Sequence, residues 1–163
     1  MILDRVHGTS GLVVTPFVPV PGIATASAYT AADAFGSMGV FKTDIAGHPL
    51  PVRGIIVAPK LLDPDDDTLS LTVHIFNEAF TDTADHDALA LVAADATKWV
   101  TSMNFDDGTD MGAFKGHEIQ AWNSPYYSKN RELLFQCSTA GTPNIAAGAI
   151  PSIQLCILPF AEE

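Results

Sequence analysis

Apolar and polar residues alternate in short runs between Leu12 and Phe160, with Gly, Pro and Asp between the runs. In the cleanest run Leu69, Leu71, Val73 and Ile75 share one face, and Ser70, Thr72 and His74 the other. A period of two is that of a half-buried strand. Trp99, Thr101, Met103 and Phe105 repeat it. Residues 34–41, 115–122, 132–139 and 150–158 read as further strands. Residues 52–62 are apolar on both faces through Ile55, Ile56 and Val57, which predicts a central strand covered on both sides. The acidic turn 63–67, containing Pro64, is expected to join that strand to 68–77 as a β-hairpin. Residues 81–96 are the one helix candidate. Thr81, Asp82 or Thr83 can cap it, Asp85 and Asp87 suit the positive end of its dipole, and Leu89, Val92 and Ala93 share a stripe.

The fold class expected from this pattern is mainly β: an antiparallel β-sandwich or jelly roll with one short helix and an extended N-terminal arm. A partly open barrel is the alternative. Pro16, Pro19 and Pro21 bar residues 12–20 from a central strand, because proline lacks the N–H that a ladder needs. The segment is either an arm across a neighbouring subunit or an edge strand of its own domain. With no internal repeat or linker, the division is an extension over 1–22 and a single sandwich domain over 23–163.

The length of 163 residues fits one domain with a two-layer core. Hydrophobic residues make up 47% and the mean hydropathy is +0.21, which suits a core plus buried subunit contacts. Eight Lys and Arg face 19 Asp and Glu, a formal charge of −11. That balance argues against nucleic acid, whose binding needs cations to displace counterions, and against anionic membranes. No stretch has the apolar length of a membrane span, and residues 1–12 do not have the form of a secretory signal. Cys137 and Cys156 fall in strands and read as buried thiols, although a pairing between them is not decided by sequence.

Candidate chemistry is sparse. His7, His48, His74, His86 and His117 show no metal-ligand spacing. His74 reads as a hydrogen-bonded structural histidine, and His117-Glu118 as an acid–base pair only if a partner existed. Asp106, Asp107 and Asp110 surround Gly108 without the spacing of a calcium loop and read as a solvated turn, as do Asp63, Asp65, Asp66 and Asp67. Gly8-Thr9-Ser10-Gly11 lacks the lysine of a phosphate loop, and no nucleophile elbow is present. No catalytic residue, cofactor or metal is expected, and the chain is not read as an enzyme. Trp99, Trp122, Tyr126 and Tyr127 could stack on a sugar, with 122–127 as the best patch, but each suits a core or interface anchor better. The interface candidates are Val14, Phe17, Val18 and Val20 in the arm, with Trp122, Tyr126 and Tyr127.

Several stretches together resemble small tailed-bacteriophage and prophage virion proteins of the strand-rich, decoration type. They are Ser27 to Gly36, the run Val73-His74-Ile75-Phe76-Asn77, the acidic Thr83 to Asp95 leading into Trp99-Val100, Leu133-Leu134-Phe135 through Gly141-Thr142-Pro143, and Ile153 to Leu158. The resemblance implies a virion structural role, with a head decoration or cement protein on the capsid exterior first. Acidity fits that location, since packaged DNA would repel this chain. The expected partners are the major capsid protein and further copies of the chain, a trimer being favoured by the analogy. A tail, fibre or baseplate component that binds a glycan receptor is the alternative.

Overall fold

The computed structural model describes residues 11–24, 28–65, 69–106 and 108–160. In chain order the strands are β1 (Val13–Val14), β2 (Val18–Pro19), β3 (Ala34–Phe41), β4 (Arg53–Ile56), β5 (Lys60–Asp63), β6 (Leu71–Phe76), β7 (Trp99–Phe105), β8 (Thr109–Asp110), β9 (Lys115–Glu118), β10 (Ser124–Tyr127), β11 (Leu133–Thr139), β12 (Ser152–Gln154) and β13 (Cys156–Pro159). One sheet has the order β3-β11-β6-β7. Two others, β1-β13-β4-β10 and β2-β12-β5-β9-β8, have matching rank order and continue into each other across a kink. Backbone bonds bridge the kink: Thr15 N–H to Leu155 O at 3.0 Å, Val57 N–H to Cys156 O at 2.9 Å, and Ile119 N–H to Pro59 O at 3.1 Å. Pro16 and Pro59, which cannot donate, sit at the breaks.

This kinked layer and the β3-β11-β6-β7 sheet close over one hydrophobic core, so the protein is an antiparallel β-sandwich. Leu71, Val73, Ile75, Leu133, Phe135, Leu155 and Ile157 are at most 1% exposed, as their alternation predicts. Cys137 and Cys156 are both buried and free, and they lie in different layers. Burial pushes the Cys137 thiol far above its ordinary pKa, which keeps it protonated and unreactive.

Four expectations about the elements change. Residues 52–62 do not form a hairpin with 68–77: β5 pairs with β9 and β12, whereas β6 pairs with β11 and β7. The turn after Asp63 carries the chain from one layer to the other instead. Asp63 Oδ1 accepts the Asp65 N–H at 3.1 Å, and Asp65 Oδ2 accepts the Ala146 N–H at 2.6 Å, which hold the chain as it leaves β5. Asp66, Asp67 and Thr68 lie outside the described residues. The strand buried on both faces is β11, not 52–62. The aromatic patch 122–127, expected to lie in a loop, contains the strand β10, which tolerates Pro125 because it is at a sheet edge.

The fourth change concerns residues 81–96. The helix is reduced to a 3-10 turn, Ala93–Lys98, and the rest runs extended as a strap over the outer face of β3-β11-β6-β7. Of the acidic side chains that would suit a helix N-terminus, that of Asp85 instead accepts bonds from distant groups. Asp85 takes the N–H of Gly36 at 2.6 Å, the N–H of Ala24 at 2.9 Å and the Tyr29 hydroxyl at 2.9 Å. Buried Gln136 clamps Thr83, accepting its N–H at 3.0 Å and donating to its carbonyl at 2.5 Å. Phe80 stacks on Phe76 with centroids 3.9 Å apart. These tertiary bonds outweigh a helix whose Thr and Asp residues have low propensity.

The strap end titrates. Asp95 accepts from Lys98 Nζ at 2.7 Å and from the Thr81 N–H at 2.8 Å, and these two bonds hold its carboxyl below the usual range. A lowered folded pKa stabilises above the unfolded value of about 4, and the contribution is lost as pH falls through the folded one. Hydrogen exchange at the Thr81 amide is therefore expected to accelerate beyond its intrinsic pH dependence below about pH 4. Asp95→Asn should show the same loss of protection at neutral pH.

Candidate interaction surface

In the kinked layer the residues that alternate with the core positions face outward. Ile56, Leu61, Ile153 and Ile157 are buried, while Ile55, Val57 and Leu62 between them are half-exposed and Leu158 is 37% exposed. Val14 lies opposite Cys156 at one edge, and Tyr127, 54% exposed, lies opposite Arg53 at the other. Beyond the kink, Phe17, Leu62, Met111 and Phe114 line an open groove of about 590 Å³ that also takes in Lys60 and Glu118. Phe17, Met111 and Phe114 are 41%, 57% and 40% exposed.

A sandwich normally turns polar residues to water on its outer faces. This one presents an apolar face across two successive sheet segments. Its charges are few: Arg53 at the start of β4, and Glu118 with Lys60 at 3.5 Å across the ladder. In a chain of net charge −11, this is the face on which another acidic surface meets least repulsion. Patches of this kind, rimmed by polar residues, mark surfaces that bind other macromolecules.

The interface candidates divide by face. Val14, Phe17 and Tyr127 stand on the outward face. Val18 and Trp122 are half-buried and pack against the core; Val20 and Tyr126 are 1% and 6% exposed. The Tyr126 hydroxyl donates to the Pro51 carbonyl at 3.1 Å. These four are engaged within the chain, and 122–127 is not assembled as an aromatic platform. Residues 12–20 lie on the chain's own sheets, with β1 on β13 and β2 on β12, as the edge-strand alternative has it.

The remaining candidates are placed as follows. His74 bonds Ser102 and Ser138 on the outer face of the β3-β11-β6-β7 sheet. His117 points inward, Nδ1 donating to the Asp106 carbonyl, while Glu118 faces the other way, so the two form no acid–base pair. Among the described residues nothing hydrogen-bonds to His117 Nε2. Gly108 covers it, and a Cβ there would come within 2.7 Å. Gly108→Ala is expected to destabilise by about 1–3 kcal/mol through this overlap, measurable by chemical denaturation. Asp106 and Asp110 do not gather into a ligand set: no group of three or more His, Cys, Asp or Glu among the described residues could hold a metal. Asp107, His7 and the Gly8-Thr9-Ser10 turn lie outside the described residues. No described helix is long and apolar enough to cross a membrane.

Sequence reasoning missed Ile55, Leu62, Met111, Phe114 and Leu158 as surface residues. The signal was present in the doubly apolar run 52–62, which implied two covers where the chain provides one. Comparisons with protein-family models, with curated proteins and with solved structures find no match for this chain.

Proposed function

We propose that this chain is a non-catalytic virion structural protein, a decoration protein that cements a phage head from outside through the apolar face of its kinked layer. Its partners in this reading are the major capsid protein and further copies of itself, with a trimer as the favoured assembly. The observation that carries the reading is that Ile55, Leu62, Phe17, Leu158 and Tyr127 share one face that no described segment of the chain covers. The resemblance over roughly residues 25–158 to decoration-type proteins supports the particle context. A lattice repeats each weak contact many times, so individual subunits need no deep pocket.

The test uses heads lacking the protein. They should assemble yet rupture at lower temperature than complete heads, and adding the purified chain should restore their stability without metal or nucleotide. Leu158→Asp and Tyr127→Asp should fold normally, since both side chains face outward, yet weaken head binding by roughly 10–100-fold each. Depleted heads as robust as complete ones, with labelled protein found at the tail tip, would replace this reading with the receptor-binding one.

A further inference from the structure

A second surface feature lies on the opposite layer, away from the apolar face. Between the strap and strands β6 and β7 runs a groove of about 300 Å³, lined by His74, Phe76, Leu91, Val92, Trp99 and Ser102. A register shift creates it. Thr101 pairs with Ile75, but Trp99 pairs with Phe76, so one extra residue in β7 turns Trp99 off the core face that Thr101, Met103 and Phe105 share. The indole ends 52% exposed. Its Nε1–H donates to Ser102 Oγ at 3.0 Å, so what it offers the groove is its ring face.

The polar floor is a chain of hydrogen bonds. Ser102 Oγ is 2.8 Å from His74 Nδ1, and His74 Nε2 is 3.1 Å from Ser138 Oγ. Burial lowers the His74 pKa and keeps the ring neutral, with one N–H. The indole, the imidazole and two hydroxyls thus hold four protons for three contacts. With the imidazole proton on Nε2 the surplus proton is the Ser138 hydroxyl; with it on Nδ1 the surplus proton is the Ser102 hydroxyl, at the groove. The acid at the groove wall, Asp95, is paired with Lys98 at 2.7 Å, so the site carries little net charge.

We propose that this groove binds a neutral saccharide, its ring stacked on Trp99 and one of its oxygens accepting the Ser102 hydroxyl proton. A purely apolar side chain laid here would bury that proton without an acceptor, which is costly. An anion would gain nothing from a neutralised wall in a chain of charge −11. A pyranose presents an apolar C–H face and an oxygen-bearing edge together, and the open side of the groove leaves its other hydroxyls in water. The volume is at the small end for ligand pockets, which fits one ring. This inference is independent of the decoration reading.

The test titrates the full chain with the methyl glycosides of glucose, galactose, rhamnose and N-acetylglucosamine while following tryptophan fluorescence. Trp99 and Trp122 are the two indoles, and Trp122 is packed against the core. At least one glycoside should give a saturable change with a dissociation constant of about millimolar order. Trp99→Ala should abolish calorimetric binding of that glycoside. Ser102→Ala should weaken it roughly fivefold, and Trp122→Phe should leave the fluorescence change in place. Leu91→Arg, at the exposed rim, should block binding in a folded protein even if Trp99→Ala is unstable. No response to any of the four glycosides, or binding that survives both Trp99→Ala and Leu91→Arg, would overturn the proposal. So would capture of an apolar peptide in the same groove with no saccharide bound.

Discussion

Phe135→Ala should lower stability by about 3–5 kcal/mol, a fall of roughly 6–20 °C in the thermal midpoint of a chain this size. The ring is fully buried in the one strand covered on both faces, and the Phe41 ring is tilted against it at 4.9 Å. Its other neighbour is Gly39, directly opposite in the β3–β11 ladder. A Cβ built at Gly39 would overlap the Phe135 ring, so Gly39→Ala should also destabilise strongly. The pair then makes a distinctive cycle. In the Phe135→Ala background, Gly39→Ala should cost far less, because the space it needs has been vacated. Strictly additive effects in chemical denaturation would show that the two residues are not in contact.

Deletion of residues 1–20 should abolish cooperative unfolding. The removed segment contains β1 and β2, so both halves of the kinked layer lose an edge. Thr15 is fully buried: its Oγ1 accepts the Leu155 N–H at 2.9 Å, and its carbonyl accepts from Gln154 Nε2 at 2.9 Å. Val20 is part of the core. Their loss uncovers Ile153 and Ile157 and leaves buried donors unpaired, effects that add to several kcal/mol against a total of about 5–15. A truncated chain that still melts in one sharp transition would restore these residues to the role of a free arm.

How much of this was legible in the sequence depended on the range of the interaction involved. Strands with period-two alternation, such as Leu71–Phe76 and Trp99–Phe105, were placed within three residues, because alternation reports a face directly. Pairing was not legible. The hairpin expected around Asp63 assumed that neighbours in sequence are neighbours in a sheet, whereas the acidic turn crosses between layers. The helix expected over 81–96 is confined to Ala93–Lys98 for a related reason: Asp85 and Gln136 make bonds to Gly36, Ala24 and Thr83 that no local pattern encodes. The uncovered apolar face was half legible. The run through Ile55 and Val57 announced an outer apolar side, but a central strand and an uncovered one look alike until the layers are assembled. Trp99 was named as a possible sugar platform, yet its exposure depends on a register shift, invisible to a parity count that put it with Met103 and Phe105.

The uncovered layer also has a colloidal consequence. With a charge of −11 spread elsewhere, two molecules in dilute buffer repel each other before their apolar faces can meet. The barrier is electrostatic, so salt at about 0.15 M confines it to within roughly 8 Å. Acidification toward the isoelectric point, about 4.6, removes it. Turbidity in purified samples should therefore rise steeply as pH approaches that value and with added salt, and Leu158→Asp together with Phe17→Ser should suppress it. The same balance should keep free molecules dispersed at neutral pH yet let them adhere to a surface whose own charge does not oppose them.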